Sequence, residues 1–140
     1  MSVQAVTHLN FQGQARAALA FYHAVFGGQL LQFTHAQAGT SADPVDAERL
    51  AWGQVDAPNG FRIMAYDVAS GTPWQPGANA FFVSLRGDTG DEVKALWDGL
   101  ADGGQVVRAL APSGWSPLYG MLKDRFGVVW VIDVAPARHA

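Results

Sequence analysis

The chain has 140 residues, 49% hydrophobic and only 15% charged, which suits one folded domain with its own core and excludes a disordered chain or a charged coiled coil. Nine basic against twelve acidic residues give a formal charge of −3, and with no Lys/Arg cluster no nucleic-acid partner is expected. The absence of cysteine excludes disulfides, thiolate metal sites and cysteine nucleophiles, and no apolar run reaches the roughly 20 residues of a membrane span.

Val3 to Phe11 alternates loosely and predicts a strand, stopped by Gly13. From Gln14 to Phe26 the apolar residues Ala15, Ala18, Leu19, Tyr22, Val25 and Phe26 recur at helical spacing, and Gly27-Gly28 ends the helix. Leu30 to Thr34 reads as a strand, and His35 to Asp46 as a polar loop. Leu50 to Val55 and Phe61 to Val68 read as two strands joined by the turn Asp56-Ala57-Pro58-Asn59-Gly60. Gly71 to Gly77 is rich in Pro and Gly and reads as a linker. Ala80 to Arg86 is again a strand. A second helix follows, capped by Asp88 or Thr89, with Val93, Leu96, Trp97 and Leu100 on its apolar side. Gln105 to Leu110, Leu118 to Lys123 and Val128 to Val134 complete the chain as strands.

The order β-α-β-β-β occurs twice, and matching segments fall in the same order in both halves. Leu9 to Gly13 lies over Val83 to Gly87, and Gly27 to Leu31 over Gly103 to Val107. Asp56 lies over Asp124, and Asp67-Val68 over Asp133-Val134. A duplication accounts for four such matches. The expected modules span about residues 3–68 and 79–134, in a single domain over 1–140 with a linker at 69–78. The fold class is α+β: paired modules forming a curved mixed sheet, or cup, with the helices outside. Strand alternation places Leu9 and Phe11 on one face, and His8 and Asn10 on the other. In the second module Phe81, Val83 and Leu85 share a face opposite Phe82 and Ser84. The face without a helix would line a small-molecule cup.

Two segments carry a family resemblance. One runs from His8 to Tyr22 and closes with Val25-Phe26-Gly27-Gly28. The other is Trp115, then Tyr119 to Val128, and Trp130. Together they resemble the vicinal oxygen chelate superfamily of glyoxalases, bleomycin-resistance proteins and dioxygenases, in its PhnB-like branch, which also carries the name 3-demethylubiquinone-9 3-methyltransferase. The resemblance implies a homodimer. It also implies a cup into which metal-dependent members project His or Glu from both modules. Of those positions His8 matches. Its counterpart falls near Phe82, the glutamate position near Val131, and that one's first-module counterpart near Ala65. A His-Ala-Glu step common in the branch reads Trp52-Gly53-Gln54 here. The chain has two glutamates, Glu48 in an acidic loop and Glu92 in the first turn of a helix. A transition metal needs three or four converging ligands, so no metal and no cofactor are expected. No glycine-rich loop of a methyl-donor site is visible.

The reading is a PhnB-like small-molecule-binding protein in the manner of bleomycin resistance. Its expected ligand contacts are His8, Asn10, Trp52, Gln54, Trp115 and Tyr119, and no catalytic residue is assigned. The alternatives are a metal-dependent lyase, isomerase or dioxygenase centred on His8, and an interaction module without ligand. His23 is expected to be solvated, His35 and His139 exposed, and Trp130 to pack. Asp67 and Asp133 are expected to be equivalent, in capping or solvated roles. Asp43, Asp46 and Glu48 are expected to form a solvated loop. Met1 to Gln4 lacks a signal-peptide pattern, so a soluble cytoplasmic location is expected.

Overall fold

The computed structural model describes residues 2–136; His139 lies outside them. Two compact units divide after Pro76, and each is α+β with the expected order. In the first unit β1 (Thr7–Phe11), β2 (Gln29–Thr34), β3 (Leu50–Asp56) and β4 (Arg62–Asp67) form a sheet in the order β1-β4-β3-β2. β1 pairs parallel to β4, and the other pairings are antiparallel. Helix α1 (Ala15–Phe26) buries Ala15, Ala18, Leu19, Tyr22 and Phe26. Fully burying a side chain of the size of Leu19 or Tyr22 contributes about 1.5–3 kcal/mol. The second unit repeats this with β5 (Val83–Gly87), α3 (Gly90–Ala101), β6 (Gln105–Ala111), β7 (Tyr119–Lys123) and β8 (Val129–Val134), in the sheet order β5-β8-β7-β6. No helix among the described residues is long and apolar enough to cross a membrane.

Two strands start later than their hydrophobicity predicts. β1 begins at Thr7 rather than Val3, and β5 at Val83 rather than Ala80. The cause is the same in both. Each pairs with one neighbour only, and that neighbour begins at Arg62 or Val129, so no ladder exists for the earlier residues. Phe81 thus lies before β5, 93% exposed, rather than sharing a face with Val83 and Leu85. The stretch 35–46 is not all loop. It holds a short helix α2 (His35–Ala38) and a 3-10 turn at Pro44–Asp46. Thr34 and Gln37 form a capping box for α2, a pattern readable in the sequence.

The duplication is real, but its register differs from the sequence match. Leu9, Ala65 and Gly53 form one row across the first sheet. Leu85, Ile132 and Gly120 form the same row in the second. The offset is therefore 76 residues for the first strand (Leu9 to Leu85) and 67 for the later strands (Gly53 to Gly120). The turns agree: Ala57 N–H donates to the Phe61 carbonyl at 2.9 Å, as Asp124 N–H does to Val128 at 2.8 Å. Asp67 is thus equivalent to Val134, not to Asp133, and Asp56 to Lys123, not to Asp124. The Gly28–Gly104 match holds.

The matched glycines mark where the chain crosses itself closely. A Cβ on Gly28 would overlap the Asp56 carbonyl, and one on Gly104 the Lys123 carbonyl. At Gly120 it would come within 2.9 Å of the Trp97 ring of α3 and of the Arg108 carbonyl oxygen. Gly28 also sits at φ +87°, where a side chain is strained. Gly28→Ala is expected to destabilise the protein by about 2–4 kcal/mol in urea denaturation. Gly60→Ala is the control: φ is +93° but the space is open, so it should cost only the conformational part.

Candidate functional site

In the first sheet the residues opposite α1 are His8 and Asn10 on β1, Met64 and Tyr66 on β4, Trp52 and Gln54 on β3, and Leu31 and Phe33 on β2. Register sets them side by side: His8 beside Met64, Met64 beside Gln54, Gln54 beside Leu31, and Trp52 beside Phe33. His8 Nδ1 lies 2.9 Å from Asn10 Oδ1. With that oxygen as acceptor, Nδ1 carries the proton and Nε2 is left as an acceptor. The His8 ring meets Tyr66 edge-on at 5.2 Å between centroids. Trp52 donates its indole N–H to Met64 Sδ at 3.3 Å, and its ring lies 6.0 Å from that of Phe33. The Asn10 carbonyl accepts from Trp74 Nε1 at 2.9 Å, which ties the 69–76 segment to β1.

Four of the six predicted contacts, His8, Asn10, Trp52 and Gln54, therefore share one face. Sequence reasoning missed Phe33, Met64 and Tyr66. The alternation of Ile63 and Ala65 with Met64 and Tyr66 is visible in the chain, but which strands lie beside it is not. Trp115 and Tyr119 belong to the second unit, where they meet edge-on at 4.9 Å.

The metal question turns on the same register. His8, Met64 and Gln54 form one row, and its counterpart in the second sheet is Ser84, Val131 and Met121. The counterpart of His8 is thus Ser84, not Phe82, and that of Val131 is Met64, not Ala65. Among the described residues no three His, Asp or Glu side chains are grouped to hold a metal. This donor set does not fit a divalent cation.

Asp67, His35 and Asp46 of the first unit are buried in bonded, structural positions. Asp67 is 1% exposed. It accepts from Gly13 N–H at 2.7 Å, Ala15 N–H at 3.1 Å and Leu50 N–H at 2.9 Å. It therefore caps α1, whose own N-cap residue, Gln14, makes no side-chain bond. His35 is buried at 6% exposure, not exposed as expected. Its Nε2 lies 2.9 Å from the Asp67 carbonyl and its Nδ1 2.8 Å from Thr40 Oγ1. Asp46 is also buried rather than solvated, bonded at 3.1 Å by both the N–H and the hydroxyl of Ser70. His23 is half-buried, with Nε2 3.0 Å from the Gly28 carbonyl. In the second unit Trp130 is fully buried and donates to Asp124 Oδ2 at 2.9 Å. Asp133 is buried against Arg86, with N–O distances of 3.0 and 2.9 Å.

The fold and these motifs place the protein in a known group. Residues 6–132 match the family model of the Glyoxalase/Bleomycin resistance protein/Dioxygenase superfamily, and the chain belongs to that superfamily. Its structure is similar to that of protein PA1353 from Pseudomonas aeruginosa, at 32% identity and a TM-score of 0.82, covering 96% of this chain and 98% of that one. The fold is also that of a PhnB protein from Bacillus cereus, whose name points to a 3-demethylubiquinone-9 3-methyltransferase, at 22% identity and TM-score 0.69 over 95% and 100% of the two chains. Protein YjdN of Escherichia coli (strain K12) is 27% identical over 136 residues, 91% of this chain and 92% of that protein.

Asp67→Ala removes one acceptor from three backbone N–H groups and is expected to cost about 2–4 kcal/mol of stability, measured by urea denaturation. Asp46 carries a pH signature. The Ser70 N–H, followed by the Ser70 hydroxyl and the charges of Arg49 and His35, outweighs burial and holds its carboxyl below the ordinary value of 3.8. A lowered folded pKa contributes stability that is present above the unfolded value and lost as pH falls through the folded one. The stability gap between the native protein and Asp46→Asn should accordingly be full at about pH 6 and shrink below about pH 4.

Proposed function

We propose that the chain is a PhnB-like small-molecule-binding protein whose ligand lies on the α1-free face of the first sheet, without a tightly held metal. The observation that carries this is the composition of that face. Phe33, Trp52, Met64 and Tyr66 offer flat or polarisable apolar surface, and His8, Asn10 and Gln54 offer uncharged hydrogen-bonding groups among them. Such a lining suits an uncharged or weakly polar ring system. Burying about 100 Å² of ligand apolar surface contributes only about 2.5 kcal/mol, so the polar groups must supply the rest of any micromolar affinity. A homodimer and a cytoplasmic location complete the reading; the resemblance implies the dimer.

A second reading has one observation in its favour. His8 stands at the first metal-ligand position of the superfamily with Nε2 unbonded by protein among the described residues. A metal-dependent lyase, isomerase or dioxygenase would use it. Metal analysis after incubation with Ni²⁺, Zn²⁺, Mn²⁺ and Fe²⁺ separates the two readings. Near-stoichiometric metal that is lost in His8→Ala would overturn the proposal.

A thermal-shift screen of small aromatic and amphipathic compounds is expected to find stabilising ligands. For those ligands His8→Ala should raise Kd by about 3–10-fold, the worth of one hydrogen bond. Trp52→Ala should raise it by about tenfold or more. His8 is exposed, so its variant should keep the native melting temperature. Unfolding of His8→Ala, or unchanged Kd in both variants, would show that the face is structural.

A further inference from the structure

The open face of the second sheet differs in charge from that of the first. Its row Arg86, Asp133, Tyr119 is the counterpart of the stretch of the first sheet that carries Asn10, Tyr66 and Trp52. Arg86 is already satisfied by Asp133, and that carboxylate raises the Arg86 pKa by bonding and charge. The pair is locally neutral. Arg108, on β6, is different. Its guanidinium carbon lies 5.9 Å from the centre of the Tyr119 ring, a cation–π arrangement. Every other arginine among the described residues donates to an oxygen: Arg16, Arg49, Arg62, Arg86 and Arg125. Arg108 has no such acceptor among them. Neither the Tyr119 hydroxyl nor the Trp115 indole N–H has a protein acceptor among them either.

Arg108 and Trp115 thus both meet the Tyr119 ring, and none of these three side chains donates to a protein oxygen among the described residues. Trp115 stays 55% exposed although its loop is anchored. The buried Ser116 beside it sets its hydroxyl 2.6 Å from the Val134 carbonyl and 2.7 Å from that of Leu118. Ser113 Oγ accepts from Ser116 N–H at 3.1 Å. An anchored tryptophan left in solvent, at 4.9 Å from Tyr119, keeps a flat apolar wall available at little ordering cost.

We propose that Arg108, Tyr119 and Trp115 form a site for an aromatic carboxylate, its two oxygens on the Arg108 fork and its ring against Trp115. A planar guanidinium matches a carboxylate in bidentate fashion, and the neighbouring Asp133 is neutralised by Arg86. This site lies in the second unit and goes beyond the reading of the first sheet; either can fail without the other.

The test titrates the full-length, ¹⁵N-labelled protein with benzoate, with benzamide as the neutral isostere, and with inorganic phosphate as the anion without a ring. The indole N–H of Trp115, assigned with Trp115→Phe among the five tryptophans, is the readout. Benzoate should shift it saturably, and benzamide and phosphate should bind at least about tenfold more weakly. Arg108→Gln should weaken benzoate by about tenfold or more, and Arg108→Lys, which keeps the charge without the fork, should fall between. Trp52→Ala should leave the titration unchanged. Equal affinity for benzamide or for phosphate, or undiminished benzoate binding by Arg108→Gln, would overturn the proposal. Loss of benzoate binding in Trp52→Ala would also overturn it, by placing the anion on the first sheet.

Discussion

The first unit depends on the Asp67 carboxylate. It stands at the end of β4 and bonds the loop after β1, the first residue of α1 and the first residue of β3. Its own backbone carbonyl receives His35. Buried carboxylates are costly unless their oxygens are bonded, and here three N–H groups meet that need while losing their own unpaired state. The helix N-terminus adds a favourable dipole to the negative charge. One side chain therefore fixes the angle at which α1 leaves β1, and with it the pairing of strands that carry His8, Trp52 and Tyr66.

The second unit solves the same problem locally. Thr89 caps α3 by accepting from Glu92 N–H at 3.3 Å, and Glu92 in turn receives Asp88 N–H at 3.2 Å. The residue equivalent to Asp67 is then free to be apolar, and it is Val134. What the two units share instead is close backbone contact. Gly53 and Gly120 occupy the same position in the middle strands, each under a large side chain of its helix, Leu19 and Trp97. The shared architecture rests on those approaches, and the capping device is where the copies diverged.

The open faces diverged further, because nothing in the packing of a helix constrains the opposite side of its sheet. The first face is aromatic and uncharged at its centre. The second holds an ion pair and an arginine over a tyrosine. Trp52 and Tyr119 are equivalent by register, so an aromatic group persists at that position while in the same row Asn10 is replaced by Arg86 and Tyr66 by Asp133. A duplicated scaffold with different faces offers two chemistries on one chain, consistent with a superfamily whose members share a fold rather than a reaction.

Both long helices, the order of all eight strands, the glycine stops and the duplication were legible in the chain. Periodicities of 3.6 and 2 and glycine at positive φ are local properties that a single segment expresses. The membership of His8, Asn10, Trp52 and Gln54 in one set was legible through motif resemblance and alternation. The register between strands was not, because hydrogen-bonded partners are chosen by packing and by where neighbouring strands begin. That is why Phe82 stood in for Ser84, why Asp67 was matched to Asp133, and why Phe33, Met64, Tyr66 and Arg108 went unseen. Burial of His35 and Asp46 was hidden for the same reason: their partners, Asp67 and Ser70, lie 32 and 24 residues away. The sequence by itself determined the elements and the class of fold. Only the tertiary structure decided which polar groups are caps and which lie on an open sheet face, because that distinction depends on what lies across the sheet.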